Sequence, residues 1–551
     1  MSAVFLMAAT HGRPAPTVHT RLGTVRGNAL LDADEFLGLP YATANRFMPA
    51  IPRHEPFDVQ PLPATYYGPA CKQVLSSTTN YGVEECHFLN VWRPAGASAA
   101  ASLPVMLFIP GGSNDFGEAE PYNASAMAAD QKAVITSINY RVGPFGFAAL
   151  REDHQQGRTT GNHALTDIQA ALRFLRSHVA AFGGDAKRLT LFGQSSGGGL
   201  AVLHSVIPSS KGLFEGVLSQ SGGLSAAPLV RSFATTDVLA TALNCSARGY
   251  VSTRRCLLDA SGDELVFAQG VSCVTPNQCS ALTSWSPTVD GVLLPESPDT
   301  LLRAGRLNPV SVALGANTND SYLFISTQGP LRRWDYVKGL TAEAYGNSSL
   351  AARLLALYPP HSEFLADNID RKGWYASDRM LCGLRRTARL LAAAPPTRGE
   401  VFLYRYNYYF QSNASCTAVA NWHAPEYGSM HQDEVSFVFG QAIFMNIGYS
   451  NCSVPGWSGY SSTCLGCAFD AKEAAFAKTM GRLWTSFAAG KASEWPRFGA
   501  SGPGTNVYLH PSAHFTPGQP MLMHSEEALG RPERCEVWDE VEAAAVRLEI
   551  L

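Results

Sequence analysis

Residues 182–199 read FGGDAKRLTLFGQSSGGG, and this stretch decides the fold. Leu189-Thr190-Leu191-Phe192 has the apolar make-up of a short buried strand. It runs into Gly193-Gln194-Ser195-Ser196-Gly197, and a run of small residues suited to a closely packed helix follows. Gly-x-Ser-x-Gly between a strand and a helix is the setting of a nucleophile elbow, a sharp turn that lifts a serine hydroxyl above the sheet edge. The glycines follow from that geometry. A side chain at 193 or 197 would collide with the neighbouring strand and helix, and Ser195 itself must take a strained backbone. The competing reading is an ordinary glycine turn, since the bare pentapeptide arises often by chance. The strand before it and the helix after it favour the elbow.

The flanking sequence alternates in the same way. Val105–Ile109 is a continuous apolar run ending in Pro110-Gly111-Gly112-Ser113, and Ala133–Asn139 is the next strand, ending in Tyr140-Arg141. Leu165, Ile168, Leu172, Leu175 and Val179 recur at spacings of three and four, the pattern of an amphipathic helix packed on a sheet. Gly216–Gln220 follows the elbow helix as a further strand. Strands and helices alternating this densely imply an α/β fold, with a central, mostly parallel sheet covered on both faces. Upstream, residues 18–27 have the alternation and glycine punctuation of a hairpin strand, and Glu84–Trp92 reads as another strand. Downstream, residues 225–300 are interrupted by Pro, Gly and Cys. Val310–Ala316 and Val401–Tyr406 read as late strands, and Phe476, Met480, Leu483 and Phe487 mark a late helix ending at Gly490. With no internal repeat, linker or charge run, one large domain over residues 17–545 is the economical reading.

The bulk composition narrows the class. At 551 residues, 46% hydrophobic and 16% charged, the chain can bury a sizeable core. A net charge of −3 without a basic run gives no support for nucleic acid as a partner. No window approaches the roughly 18 apolar residues a membrane span requires. Twelve cysteines are many for a reducing cytosol, and Asn-x-Ser/Thr acceptors stand at Asn123, Asn244, Asn347, Asn413 and Asn451, with a sixth at Asn319. Together they point to a secreted or secretory-lumen glycoprotein. Residues 1–16 read as a leader or tail: Ala3–Ala9 resembles a short signal h-region, although no basic residue precedes it.

At this point two long signatures resemble those of the type-B carboxylesterases, relatives of the cholinesterases on the α/β-hydrolase fold. One is Phe182-Gly183-Gly184, four residues, Leu189-Thr190-Leu191, then Gly193–Gly197; the other is Glu85–Val91. Leu39–Ala42, Asn139–Arg141, Gly161-Asn162, Gln220–Gly222 and Val289–Gly291 extend the likeness over about residues 18 to 540. Serine is a poor nucleophile at neutral pH and needs a base and an orienting acid, which follow it in the order Ser, acid, His in this fold. Six histidines lie beyond residue 320: His361, His423, His431, His510, His514 and His524, and spacing alone does not choose among them. The segment Met430–Gly440 is similar to the family's catalytic-histidine loop and selects His431; His423 is the bland competitor. Gly315–Ser321 is similar to the segment that carries the family's glutamate, and Asp320 stands in that place. This is a departure, because the shorter carboxylate must reach the same ring nitrogen. Asp290 is the alternative acid, which the family pattern makes structural. The resemblance further assigns Gly111, Gly112 and the backbone N–H of Ser196 to an oxyanion hole, with Pro110 where the family usually has histidine. Gln194 replaces a frequent glutamate, which weakens any preference for cationic esters. The sequon at Asn319 would put a glycan beside this site, so it is expected to be unused.

The resemblance also implies three disulfides: Cys71–Cys86, Cys245–Cys256 and Cys382–Cys535. Cys273, Cys279, Cys416, Cys452, Cys464 and Cys467 are left unassigned, and Cys464-x-x-Cys467 has no partner motif that would complete a zinc site. The expected protein is therefore a serine carboxylic ester hydrolase acting on small neutral esters through an acyl-enzyme, with no cofactor and no metal. A lipase or acylglycerol esterase is the alternative within enzymes. A cholinesterase is disfavoured, because the family's cation-binding tryptophan is missing between Cys71 and Cys86, where Tyr81 is the only aromatic residue. A non-catalytic adhesion module is the alternative outside enzymes, but such relatives lose a triad member and here none is missing.

Overall fold

In the computed structural model, which describes residues 13–76, 79–271, 285–325, 330–363, 365–394, 399–408, 428–441, 469–499, 505–509, 523–525 and 532–547, an 11-stranded sheet organises the chain. Its strands are β1 (Asn28–Ala29), β2 (Ala33–Pro40), β3 (Phe88–Pro94), β4 (Leu103–Ile109), β5 (Val134–Ile138), β6 (Gly184–Gln194), β7 (Gly216–Gln220), β8 (Ser311–Asn317), β9 (Val401–Tyr406), β10 (Thr505–Leu509) and β11 (Met523–Ser525). They lie in the order β11-β10-β9-β8-β7-β6-β4-β5-β3-β2-β1. From β10 through to β5 every neighbouring pair is parallel. The antiparallel pairs are confined to the two edges.

Side chains of a strand alternate between faces, and β4 illustrates the result. Val105, Leu107 and Ile109 enter one buried cluster, while Met106 and Phe108 enter the other. The first cluster is closed by α1 (His163–His178), through Leu165, Ile168, Leu172 and Leu175. The second is closed by Phe476, Met480, Leu483 and Trp484 of a late helix spanning Ala471–Ala488, as the sequence periodicity implied. A parallel sheet needs both faces covered to stay dry, and here both are.

Three features differ from the sequence reading. The strand expected over 84–92 begins at Phe88, because Cys86 is joined to Cys71 and Cys71 bridges to Val83, which draws the preceding residues off the sheet. The elbow strand is longer than its apolar centre and starts at Gly184. Residues 13–16, read with the leader, are tied to the fold: Arg13 donates to the Asp34 carboxylate at 2.6 Å, and the Gly27 N–H donates to the Pro16 carbonyl at 2.9 Å. Residues 1–12 lie outside the described residues, as do Asn413, Asn451 and the six unassigned cysteines. Cys245–Cys256 and Cys382–Cys535 are the other two disulfides of the described chain. Among the described residues, no helix is long and apolar enough to cross a membrane.

Candidate active site

β6 ends at Gln194, and α2 (Ser196–Leu203) begins one residue beyond Ser195. Ser195 sits between them at φ 58 and ψ −131, a backbone state costly for any residue with a side chain and found where the surroundings enforce it. The surroundings do so by close approach. A Cβ on Gly193 would lie 2.5 Å from the Gly197 carbonyl oxygen, and one on Gly197 would lie 2.1 Å from that of Ile109 in β4. A Cβ on Gly222 would lie 2.6 Å from the Ser195 carbonyl oxygen. The Ser195 N–H donates to Gln220 O at 2.7 Å, and Gly199 N–H donates to Ser195 O at 3.0 Å, so both backbone ends of the turn are fixed.

β4 delivers the glycine turn to the same place. A Cβ on Gly111 would lie 2.9 Å from the Cβ of Ser195, and Gly112 takes φ 128, open to glycine alone. Among the described residues, the N–H groups of Gly111, Gly112 and Ser196 have no acceptor. Ser196 is the first residue of α2, where an N–H has no partner within the helix. Pro110, which lacks an N–H, contributes its carbonyl, accepting from the Tyr140 hydroxyl at 2.7 Å.

His431 comes from the loop before a short helix, Asp433–Phe439, and Asp320 from the turn after β8. The Nδ1 of His431 hydrogen-bonds Oδ1 of Asp320, so the shorter carboxylate does reach the ring. The second oxygen of Asp320 accepts from the Ser221 hydroxyl at 2.5 Å and from the Asn317 N–H at 2.7 Å. Asp320 is fully buried, and these donors compensate its desolvation. On the other side of the ring, Nε2 takes the Gln194 side-chain amide at 3.0 Å, and among the described residues it makes no hydrogen bond to Ser195 Oγ. Catalytic hydrogen bonds are often long in a free site and close only around substrate. Ser195 and His431 line one cavity of about 200 Å³, together with Ser196, Gly222, Phe324 and Met380. Phe324 meets the imidazole edge-on, with centroids 4.9 Å apart. Among the described residues, no Asp, Glu, Lys or Arg lines this cavity.

The other sequence candidates lie elsewhere. Asp290 accepts from the Thr159 hydroxyl at 2.6 Å and from the N–H groups of Val292 and Leu294, each at 3.0 Å, and so braces its own turn. His361 pairs with Asp370 at 3.0 Å. His524 falls on β11, while His423, His510 and His514 lie outside the described residues.

Sequence reasoning gave no role to the polar layer beneath the histidine loop. Glu434 is fully buried and accepts from the side-chain amides of Gln220 at 3.1 Å and Asn317 at 2.6 Å. The Trp484 indole N–H donates to Gln220 Oε1 at 3.1 Å. Burial pushes the Glu434 carboxyl up, and the nearby Asp320 charge pushes the same way. Burial likewise pushes Asp433 well above the usual carboxylate range, although it accepts the Met430 N–H at 2.7 Å. The only signal was that Gln220, Ser221 and Asn317 stand at strand ends beside the elbow, where a polar side chain needs a reason to be buried.

The family model described as "Carboxylesterase family" matches residues 14–510. The chain belongs to the carboxylesterase family and carries its α/β-hydrolase fold. Among its relatives, rabbit (Oryctolagus cuniculus) cocaine esterase is 32% identical over 66% of this chain and 66% of its own length. Human (Homo sapiens) cocaine esterase is 30% identical over 77% of this chain and 78% of its own, and mouse (Mus musculus) cholinesterase 25% identical over 87% and 81%. The match to carboxylesterase 3 of Pongo abelii spans 55% of that relative's length. The solved structure of a PNB esterase superposes with a TM-score of 0.72 at 23% identity, covering 95% of this chain and 100% of the other.

Proposed function

We propose that the chain is a serine hydrolase of small, neutral carboxylic esters. Ser195 Oγ attacks the ester carbonyl as His431 Nε2 takes its proton, and Asp320 holds the imidazole and balances its charge. The N–H groups of Gly111, Gly112 and Ser196 stabilise the oxyanion. The protonated imidazole then gives its proton to the departing alcohol, and water releases the acyl group by the same steps reversed. The observation that carries this reading is the meeting of Ser195 and His431 on one cavity, with Asp320 on the far nitrogen of the ring.

Leu200, Leu203, Phe324 and Met380 give the cavity apolar walls, and among the described residues no carboxylate lines it, which favours an uncharged substrate. The test is kcat/KM over a chain-length series of p-nitrophenyl esters, with acetylthiocholine alongside. Hydrolysis of the neutral esters, lost in S195A, supports the reading. Faster turnover of acetylthiocholine would overturn the neutral preference; preference for long acyl chains would make the protein a lipase; and no turnover of any ester would favour a binding module.

The three disulfides support passage through an oxidising compartment. Asn244 and Asn347 are exposed and open to glycosylation, and Asn123, half-buried with its side-chain oxygen on the Ser125 N–H, is the third described acceptor. Asn319 is half-buried on the turn that carries Asp320, and a glycan there would crowd the site, so it is expected to stay unmodified. A gel shift on glycosidase treatment, reduced in N244Q and N347Q and unchanged in N319Q, checks this assignment.

A further inference from the structure

The residue before the elbow serine is fully buried, yet its side chain ends in an amide. An amide in such a place needs partners for both ends, and Gln194 has them. Its Nε2 donates to His431 Nε2 at 3.0 Å, and its Oε1 accepts from the Gln432 side-chain amide at 3.0 Å. Gln432 supports the contact at a cost. It holds φ 78, a left-handed backbone that disfavours any residue but glycine, at the N-terminal cap of the helix that follows His431. The relay fixes the direction of the bonds. Gln432 donates to the Gln194 oxygen, so the Gln194 NH2 faces the ring, and the ring nitrogen that it meets must be an acceptor.

We propose that Gln194 is a positioning residue that holds His431 in the one tautomer able to take a proton from Ser195, with Nδ1–H on Asp320 and an unprotonated Nε2 whose lone pair the Gln194 amide occupies in the free site. The inference rests on the ester-hydrolase reading above and adds to it. An imidazole can donate through either nitrogen. Asp320 alone selects Nδ1–H but also favours the doubly protonated ring. A neutral NH2 donor at Nε2 opposes that second proton, because two N–H groups cannot point at each other. Gln194 therefore selects the Nδ1–H tautomer, and its amide must give way for the serine hydroxyl to close on Nε2. A glutamate at 194 would present an acceptor rather than a donor to Nε2.

Among the described residues, the other charged and titratable groups around the ring come from elements other than the elbow. Asp320 reaches it from the turn after β8, and Asp433 and Glu434 come from the helix that follows it. Tyr404 and Tyr406 of β9 lie behind them, with hydroxyls held neutral by burial. Phe324, which meets the ring edge-on, is uncharged.

The experiment is the pH profile of kcat/KM on a neutral p-nitrophenyl ester for wild type, Q194E, Q194L and Q432L. In Q194E a carboxylate replaces the donor, and the acid limb should move to higher pH by about 1 unit or more, with KM unchanged. At a pH on that limb this reads as a roughly tenfold loss, recovered at alkaline pH. Q194L removes the donor without adding charge and should lower kcat by about tenfold with a smaller shift of the limb. Q432L, which removes only the half-exposed backing amide, should shift the limb in the same direction by less. If Q194E and Q194L lose activity equally at every pH, or if neither moves the limb, Gln194 merely fills space and the proposal is overturned. Should Q194E not fold, Q432L still decides, because a purely structural role leaves its limb where it is in wild type. Labelling of wild type by a fluorophosphonate separates the two readings. An unlabelled wild type sinks the hydrolase itself, whereas a labelled wild type with an unmoved limb sinks only the role of Gln194.

Discussion

Around Ser195 close backbone approach joins two backbone hydrogen bonds in fixing the turn, whereas around His431 a network of side-chain hydrogen bonds holds the loop. On the elbow side, Gly193, Gly197 and Gly222 bring backbone so close that an added methyl would meet a carbonyl oxygen or an amide nitrogen well inside contact distance. On the histidine side, Asn317 donates to the Met430 carbonyl at 2.5 Å and to Glu434 at 2.6 Å, and Met430 donates to Asp433 at 2.7 Å. Packing exclusion is unforgiving and does not depend on pH. A buried polar network is adjustable, and its members carry protons. The proposed nucleophile thus sits on the rigid half of the site, and the proposed base sits on the half whose charge state can be tuned.

This contrast can be broken at either end. The largest effect is expected from G197A. Its methyl would sit 2.1 Å from the Ile109 carbonyl oxygen, so β4 and α2 must part, at a cost of about 3 kcal/mol or more, with activity lost along with the fold. Thermal melting and solubility check this. An alanine variant that melts like wild type would show that exclusion does not hold the elbow. D320N comes next. The amide keeps the shape of the site but cannot balance an imidazolium, so kcat/KM should fall by about 10⁴-fold while the protein remains folded. A loss below tenfold would remove Asp320 from the mechanism.

S221A sharpens the comparison, because it takes one of three donors from Asp320 and leaves the elbow backbone alone. A drop in kcat of about tenfold with KM unchanged is expected. The smallest effect comes from the loop after Gly111 and Gly112, the proposed oxyanion glycines, where burial and the neighbouring Glu120 push the Glu118 carboxyl up to about 7. The folded chain keeps that proton where an unfolded one, near 4.5, has released it. The resulting stabilisation is full below the unfolded value and is lost as pH rises through about 7. E118Q stays neutral throughout, so its melting temperature relative to wild type should climb between pH 5 and pH 8. The gain is about 1 kcal/mol once partial exposure is discounted. A flat difference across that range would place the carboxyl in solvent.

The same contrast explains what could be read from the sequence. Part of the exclusion is local: Gly193 and Gly197 lie four residues apart, between an apolar strand and a run of small residues that are legible in the sequence, although the carbonyl that excludes a side chain at 197 belongs to Ile109. The polar network is not local. His431 meets an acid 111 positions away and an amide 237 positions away, and no spacing rule connects them. Only the likeness of Met430–Gly440 and Gly315–Ser321 to family segments singled out His431 and Asp320 from their competitors. The long helix Ile369–Ala393 was not read from the sequence, although Tyr375, Cys382, Leu384, Ala388 and Leu391 form its buried stripe, with Arg385 buried among them. That helix is held to Pro532–Arg547 by the Cys382–Cys535 bridge, across 153 residues, a pairing that the resemblance supplied and the helical pattern did not.

The most direct measurement is mass spectrometry of the protein after reaction with a fluorophosphonate, in wild type and in H431A. The account predicts a single adduct, on the peptide carrying Ser195, formed rapidly in wild type and at least about a thousandfold more slowly without the imidazole. An adduct on another serine, or one on Ser195 that forms equally fast in H431A, would contradict it.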